Sequence, residues 1–128
     1  MPYIKKYKDL NKPTICGIGF VGEGPHKTHE NRKNTRTYNL WIAMLHRCYG
    51  KVQIIRPTYI KCSVDVRWHN YQTFCEDIRK LPGYSYWLIP ANKFALDKDI
   101  KVKGNCVYSP ETCMFVSSSA NSKATKRA

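Results

Sequence analysis

Acidic residues are scarce in this chain: 9 Asp and Glu stand against 22 Lys and Arg, a formal charge of +13 over 128 residues. Such a one-sided balance creates a positive surface potential and favours a polyanionic partner, with nucleic acid as the first candidate. Long apolar runs are lacking as well. The hydrophobic stretches are short and broken by charge, so neither a membrane-spanning segment nor a basic amphipathic membrane helix is expected. Residues 1–8, Met-Pro-Tyr-Ile-Lys-Lys-Tyr-Lys, are basic with no apolar region behind them, which departs from a secretory signal and makes the cytoplasm the expected location. Cys-x-x-Cys pairs are absent too. Cys16, Cys48, Cys62, Cys75, Cys106 and Cys113 are scattered, a pattern of buried reduced thiols rather than a disulfide framework. A structural Zn²⁺ drawn from distant cysteines with His46 or His69 is the minor reading, because such sites usually take ligands in close sequence pairs.

Several elements can be placed from what is present. Residues 14–21, Thr-Ile-Cys-Gly-Ile-Gly-Phe-Val, predict a first strand that ends in the turn cluster Gly22-Glu23-Gly24-Pro25. Gly17-x-Gly19-x-x-Gly22 matches the letters of a dinucleotide fingerprint, but no helix opens after it, so the cofactor reading is rejected. His26 to Thr37 has no apolar anchor. It reads as a solvated loop or, through Lys27, Arg32, Lys33 and Arg36, as a phosphate-contacting one. Trp41, Met44, Leu45 and Cys48 recur at i, i+3, i+4 and i+7, predicting an amphipathic helix over about 37–49 that ends at Gly50.

Tyr59 to Val66 alternates as a short strand, with Cys62, Val64 and Val66 on one face. Trp68, Tyr71, Cys75 and Ile78 then predict a second helix stopping before Pro82-Gly83. These aromatic residues are read as core rather than as a base-stacking platform, and His46 and His69 as surface or packing residues. Pro82 to Ala91 reads as a covering loop.

The segment from Phe94 onward bears the densest chemistry. Phe94 to Ile100 reads as a strand carrying Asp97, Lys98 and Asp99. Gly104-Asn105 supplies a tight turn, and Val107-Tyr108 begins a return strand. Ser109-Pro110-Glu111 is a helix-start or turn signal, Met114 to Val116 a further short strand, and Ser117 a cap for a last helix containing Asn121. On spacing alone, Asp97, Lys98 and Asp99 could also be a solvated strand face.

These residues resemble the HNH endonuclease family, whose ββα site holds one divalent ion between a hairpin and a helix. Asp97 falls at the metal-binding aspartate and Asn121 at the last signature position. Lys98 occupies the place of the general-base histidine, Pro110-Glu111 matches the turn, and Thr112 stands where the structuring asparagine is found. A wider resemblance over about residues 15–121 includes Tyr38-x-x-Trp41-x-x-Met44, Arg47-Cys48-Tyr49, Trp68-x-Asn70-Tyr71-x-x-Phe74 and Leu96-Asp97-Lys98-Asp99-Ile100. It is to small bacteriophage proteins described as HNH or homing endonuclease-like, a group that also tends to have lysine at that position.

The resemblance implies a small single α+β domain with N-terminal strand(s), two amphipathic helices and an HNH-like hairpin plus helix at the C-terminal side. Residues 1–13 would form a basic arm, 14–93 an α/β part, 94–121 the ββα motif and 122–128 a basic tail. It implies a metal-dependent DNA endonuclease in an infected bacterial host, with Mg²⁺ or another divalent cation on Asp97 and Asn121. Asp97, Lys98 and Asp99 would be the catalytic group, and Lys27, Arg32, Lys33, Arg36, Lys101, Lys103 and Lys123 the nucleic-acid contacts. Hydrolysis needs a base to activate water. A lysine of ordinary pKa stays protonated near neutral pH, so Asp99 or a water relay would serve as base, and Lys98 as a phosphate clamp or a paired cation. The alternative is a catalytically inactive scaffold acting as a nucleic-acid-binding or host-takeover protein. An inhibitor that meets an acidic host protein is the third reading.

Overall fold

Residues 9–50 and 62–118 are described by the structure, a computed structural model. The strand expected over residues 14–21 is replaced by a tight turn: the amides of Thr14 and Ile15 both donate to the Gly19 carbonyl, at 2.9 and 3.1 Å. Cys16 and Gly17 take positive φ, 55° and 70°, and Gly19 lies so close to Leu45 and Trp41 that a Cβ would collide with them. The glycines reverse the chain here instead of extending it. Only isolated bridges remain, Ile15 with Gly19 and Phe20 with Asn70.

The loop expected from His26 onward contains an antiparallel ribbon, β1 (His29–Glu30) and β2 (Lys33–Asn34). Asn31 and Arg32 join them at φ 51° and 66°. Two successive left-handed residues make the tight turn whose twist suits a two-residue hairpin. The ribbon is exposed on every residue, so no apolar alternation betrays it in the sequence.

Thr35 caps the longest described helix, α1 (Arg36–Tyr49), by accepting from the Tyr38 amide at 3.1 Å. Its buried stripe is Trp41, Met44, Leu45 and Cys48, as the spacing predicts, and Gly50 ends it. Within the strand expected at 59–66, residues up to 61 lie outside the described set. Beyond them β3 is the pair Ser63–Val64. Val66 does not continue the inward face; it is 73% exposed and opens a 3-10 turn, Val66–His69, capped by Asp65.

The second predicted helix is thus a 3-10 turn followed by α2 (Tyr71–Ile78), with Asn70 between them capping Gln72 at 2.9 Å. Trp68, Tyr71, Cys75 and Ile78 are all buried. Two indole N–H groups cross-link the layer: Trp41 donates to the Trp68 carbonyl at 2.8 Å and Trp68 to Asp77 at 2.9 Å. Buried indole nitrogens need such partners.

The covering loop at 82–91 holds a short helix, α3 (Tyr84–Trp87), and a 3-10 turn at Pro90–Asn92. Gly83, at φ 84°, sits against the Phe115 carbonyl with no room for a side chain, and the Phe115 amide donates to Pro82 at 2.8 Å. This seats Trp87 on Phe115, ring centroids 5.1 Å apart.

Strand β4 (Phe94–Asp97) pairs antiparallel with β6 (Met114–Ser117), Leu96 opposite Phe115 and Asp97 opposite Met114. The return strand expected for this hairpin, β5 (Val107–Tyr108), pairs elsewhere, parallel to β3 with Ser63 opposite Val107. Residues 98–113 are therefore one long connection that detours to β3. The architecture is a small single α+β domain with one buried cluster joining α1, α2, the β3–β5 and β4–β6 pairs and Trp87. Among the described residues, no helix is long and apolar enough to cross a membrane.

Candidate nucleic-acid interface

Asp97 closes β4 and is buried at 6% exposure. Its Oδ2 accepts from the amides of Asp99 at 3.0 Å and Ile100 at 2.7 Å, so the carboxylate ties the first turn of the 98–113 connection. Burial raises its pKa and the adjacent Asp99 adds to the rise, against the two amides. Asp97 therefore has a structural task irrespective of any ligand.

Lys98 is folded back over Tyr108, with Nζ 5.3 Å from the ring centroid and 3.8 Å from Asp99 Oδ2. Burial pulls the ammonium down, but Tyr108, Cys62, Asp99 and Asp97 outweigh it, and the pKa is raised. A lysine so placed remains a cation near neutral pH and is no base.

The rest of the connection is tied by groups the sequence only partly indicated. Asn105 is the loop-tying asparagine: its amide donates to the carbonyls of Lys98 at 2.8 Å and Val107 at 2.6 Å. Gly104, beside it, has the positive φ of 79°. Thr112, at the place where the family has its structuring asparagine, donates to Val107 at 2.8 Å and meets the Ser109 hydroxyl at 2.8 Å. Ser109-Pro110-Glu111 makes a turn, with the amides of Thr112 and Cys113 on the Ser109 carbonyl, and Glu111 pairs with Arg67 at 2.6 Å. Lys101 and Lys103 are exposed on this same connection.

Asp97 and Asp99 supply oxygen donors of the kind Mg²⁺ accepts. They do not by themselves fit a divalent ion, since one Asp97 oxygen already holds two amides and the Lys98 ammonium stands beside Asp99. Asn121 and Lys123 lie outside the described residues. Among those described, no group of three or more His, Cys, Asp or Glu side chains is placed to hold a metal. His46 lies 3.7 Å from the Cys16 thiol, and His69 lies 3.0 Å from the Val64 carbonyl. Cys48, Cys62, Cys75 and Cys113 are buried, whereas Cys106, expected among the buried thiols, is exposed. Burial pushes Cys48 and Cys113 up to about 12, which keeps both thiols protonated.

The second basic assembly is the ribbon. Arg32 sits at its tip and Lys33 begins β2, both exposed. Lys27 and Arg36 flank the ribbon at its base: the Lys27 carbonyl accepts from Tyr71 Oη at 2.8 Å and Thr35 Oγ1 at 3.2 Å, and the Arg36 guanidinium lies over Trp87 at 4.1 Å while donating to the Trp87 carbonyl. None of these four cations forms an ion pair among the described residues. The fold and its exposed charge define a small basic α+β chain with an unpaired cationic ribbon. No family model matches the chain, and no similar curated protein or solved structure is found.

Proposed function

We propose that the protein binds nucleic acid through the β1–β2 ribbon and the lysine-bearing connection after Asp97, on a scaffold similar to the HNH type. The supporting observation is the ribbon: Lys27, Arg32, Lys33 and Arg36 gather around it with no ion-pair partner among the described residues, and the turn holds Arg32 exposed at its tip. Cations unpaired within the protein are free to displace counterions from phosphates. Fluorescence anisotropy with labelled single-stranded and duplex DNA over a salt series tests this. Binding is expected without metal, falling steeply with salt and weakened by Arg32→Gln with Lys33→Gln. Binding that ignores salt, or that survives the double variant unchanged, overturns it.

Metal-dependent hydrolysis, implied by the HNH resemblance, is the second reading, and it needs further donors beside the Asp97 and Asp99 carboxyls. Plasmid incubated with Mg²⁺ or Mn²⁺ and scored for nicks decides it. Nicking that disappears in Asp97→Asn, a variant still able to tie the turn, supports hydrolysis; equal or absent nicking removes it.

A further inference from the structure

A cleft of about 450 Å³ opens between the ribbon, the start of α1 and the end of α2, with Lys27, Arg36 and Arg79 on its lining. Its volume is in the range of sites that take a small organic ligand rather than a lone ion. The three cations come from three separate elements, and none forms an ion pair among the described residues. Two carboxylates are near. Glu30 lines the cleft, while Glu76, outside the lining, is engaged by His26 Nε2.

The walls are fixed by contacts that leave Lys27 and Arg36 unneutralised, while Arg79 Nη2 lies 3.5 Å from His26 Nδ1 and its charge reaches Glu76. Gln72, buried at 8% exposure, clamps the His26 backbone from both sides: its carbonyl accepts from the amide at 2.9 Å and its amide donates to the carbonyl at 3.0 Å. Tyr71 and Thr35 hold the next carbonyl, that of Lys27. The stacking on Trp87 holds the Arg36 guanidinium without neutralising it. Arg36 is also the first residue of α1, where the helix dipole disfavours a cation and where no acidic residue offsets it. The contacts with Trp87 offset that cost while leaving the positive charge in place. A bound anion would neutralise it.

We propose that this cleft is a nucleotide-phosphate site, with phosphoryl oxygens on Lys27, Arg36 and Arg79 and the sugar and base along the Tyr84 wall. It rests on the nucleic-acid reading and adds Arg79, which the sequence did not single out. The probe is thymidine 5′-monophosphate, followed by amide NMR on the native chain, with thymidine and inorganic phosphate as separate titrations. The monophosphate shifts the Lys27, Arg36 and Arg79 amides to saturation, inorganic phosphate shifts the same amides more weakly, and thymidine leaves them in place. Equal effects of thymidine and its monophosphate, or shifts confined to the 98–104 segment, overturn the assignment.

A single strand of about twelve nucleotides connects the cleft to the polymer. Arg79→Gln weakens its binding and reduces the slope of log affinity against log salt by about 0.7, that of one phosphate contact on a single strand, whereas Lys80→Gln, an equal charge loss outside the cleft, does not. A strand that fails to bind while the monophosphate still saturates the cleft upholds the site and removes the polynucleotide reading. A strand bound equally by Arg79→Gln and the native chain, with no monophosphate shifts, removes the site and leaves the ribbon.

Discussion

Arg32 bears a conformational cost at φ 66°, in a region where any residue with a Cβ is disfavoured by about 1–2 kcal/mol. Glycine relieves that cost, so Arg32→Gly should stabilise the fold by about 1 kcal/mol in urea unfolding while weakening DNA binding roughly threefold. A variant that is both less stable and equally tight would show that the arginine is there for the fold. Asp97 presents the opposite case. The Asp99 and Ile100 amides need an acceptor, so Asp97→Ala should cost about 1–3 kcal/mol by leaving donors unmet. Asp97→Asn keeps a carbonyl acceptor and sheds the buried charge, so it should match or exceed the native stability at pH 7. The pH sign follows from the raised pKa. The folded state holds the Asp97 proton more tightly than the unfolded chain, so this group's contribution declines as pH rises from the unfolded value to the raised one, and stays at its lower level above. Urea midpoints of native and Asp97→Asn protein across that window should diverge as pH rises; parallel curves would rule out burial as the cause.

The elements differ in how far sequence alone exposes them, and the reason is where their order comes from. Helix α1 has a buried stripe, a capping threonine and a terminal glycine in one continuous segment, so period and caps point the same way. Strand β5 is two residues whose partner, β3, lies far back in the chain; no local pattern distinguishes that parallel pairing from a hairpin return to β4. The ribbon has no apolar face at all, and its turn uses Asn31-Arg32 where glycine is the usual signal. Of the candidate site, the charges and the position of Asp97 were readable, but not its task of tying the Asp99 and Ile100 amides. Asn105 was readable only as a turn residue and Arg79 not at all, because the contacts of both side chains are set by tertiary packing. One such contact can be tested by acid. Asp65 caps the 3-10 turn and pairs with Arg67, which also reaches Glu111. Hydrogen bonds from Arg67 hold the Asp65 carboxyl down to about 2. Its stabilisation is present above the ordinary carboxylate pKa and is lost as pH falls through about 2. Asp65→Asn should therefore be less stable than the native chain at pH 6 and converge with it near pH 2, read from urea midpoints; a constant gap would sink the ion-pair explanation.

At the scale of the molecule, the two basic assemblies stand at opposite ends of α1. Arg36 begins the helix, and Cys48 lies near its end, next to Arg47, which donates to the hydroxyl of the Tyr108 ring that Lys98 covers, at 3.2 Å. At a rise of about 1.5 Å per residue they are separated by about 18 Å. A strand stacked as in duplex DNA advances about 3.4 Å per nucleotide and covers that in roughly five nucleotides. If one strand contacts both assemblies, affinity for a length series of stacked oligodeoxyadenylates should climb steeply to about six nucleotides and then flatten. Beyond that length, added nucleotides run past both assemblies and are expected to contribute mainly more ways to register. Removing one end should shorten the plateau rather than merely lower the curve. Arg79→Gln or Lys98→Gln would then bind a trinucleotide and a hexanucleotide with similar affinity, while the native chain distinguishes them by roughly tenfold at low salt. Anisotropy titrations at fixed ionic strength read this directly. A native chain that binds trinucleotides as tightly as hexanucleotides would mean that the two ends act separately, with α1 spacing them but not joining them along one strand.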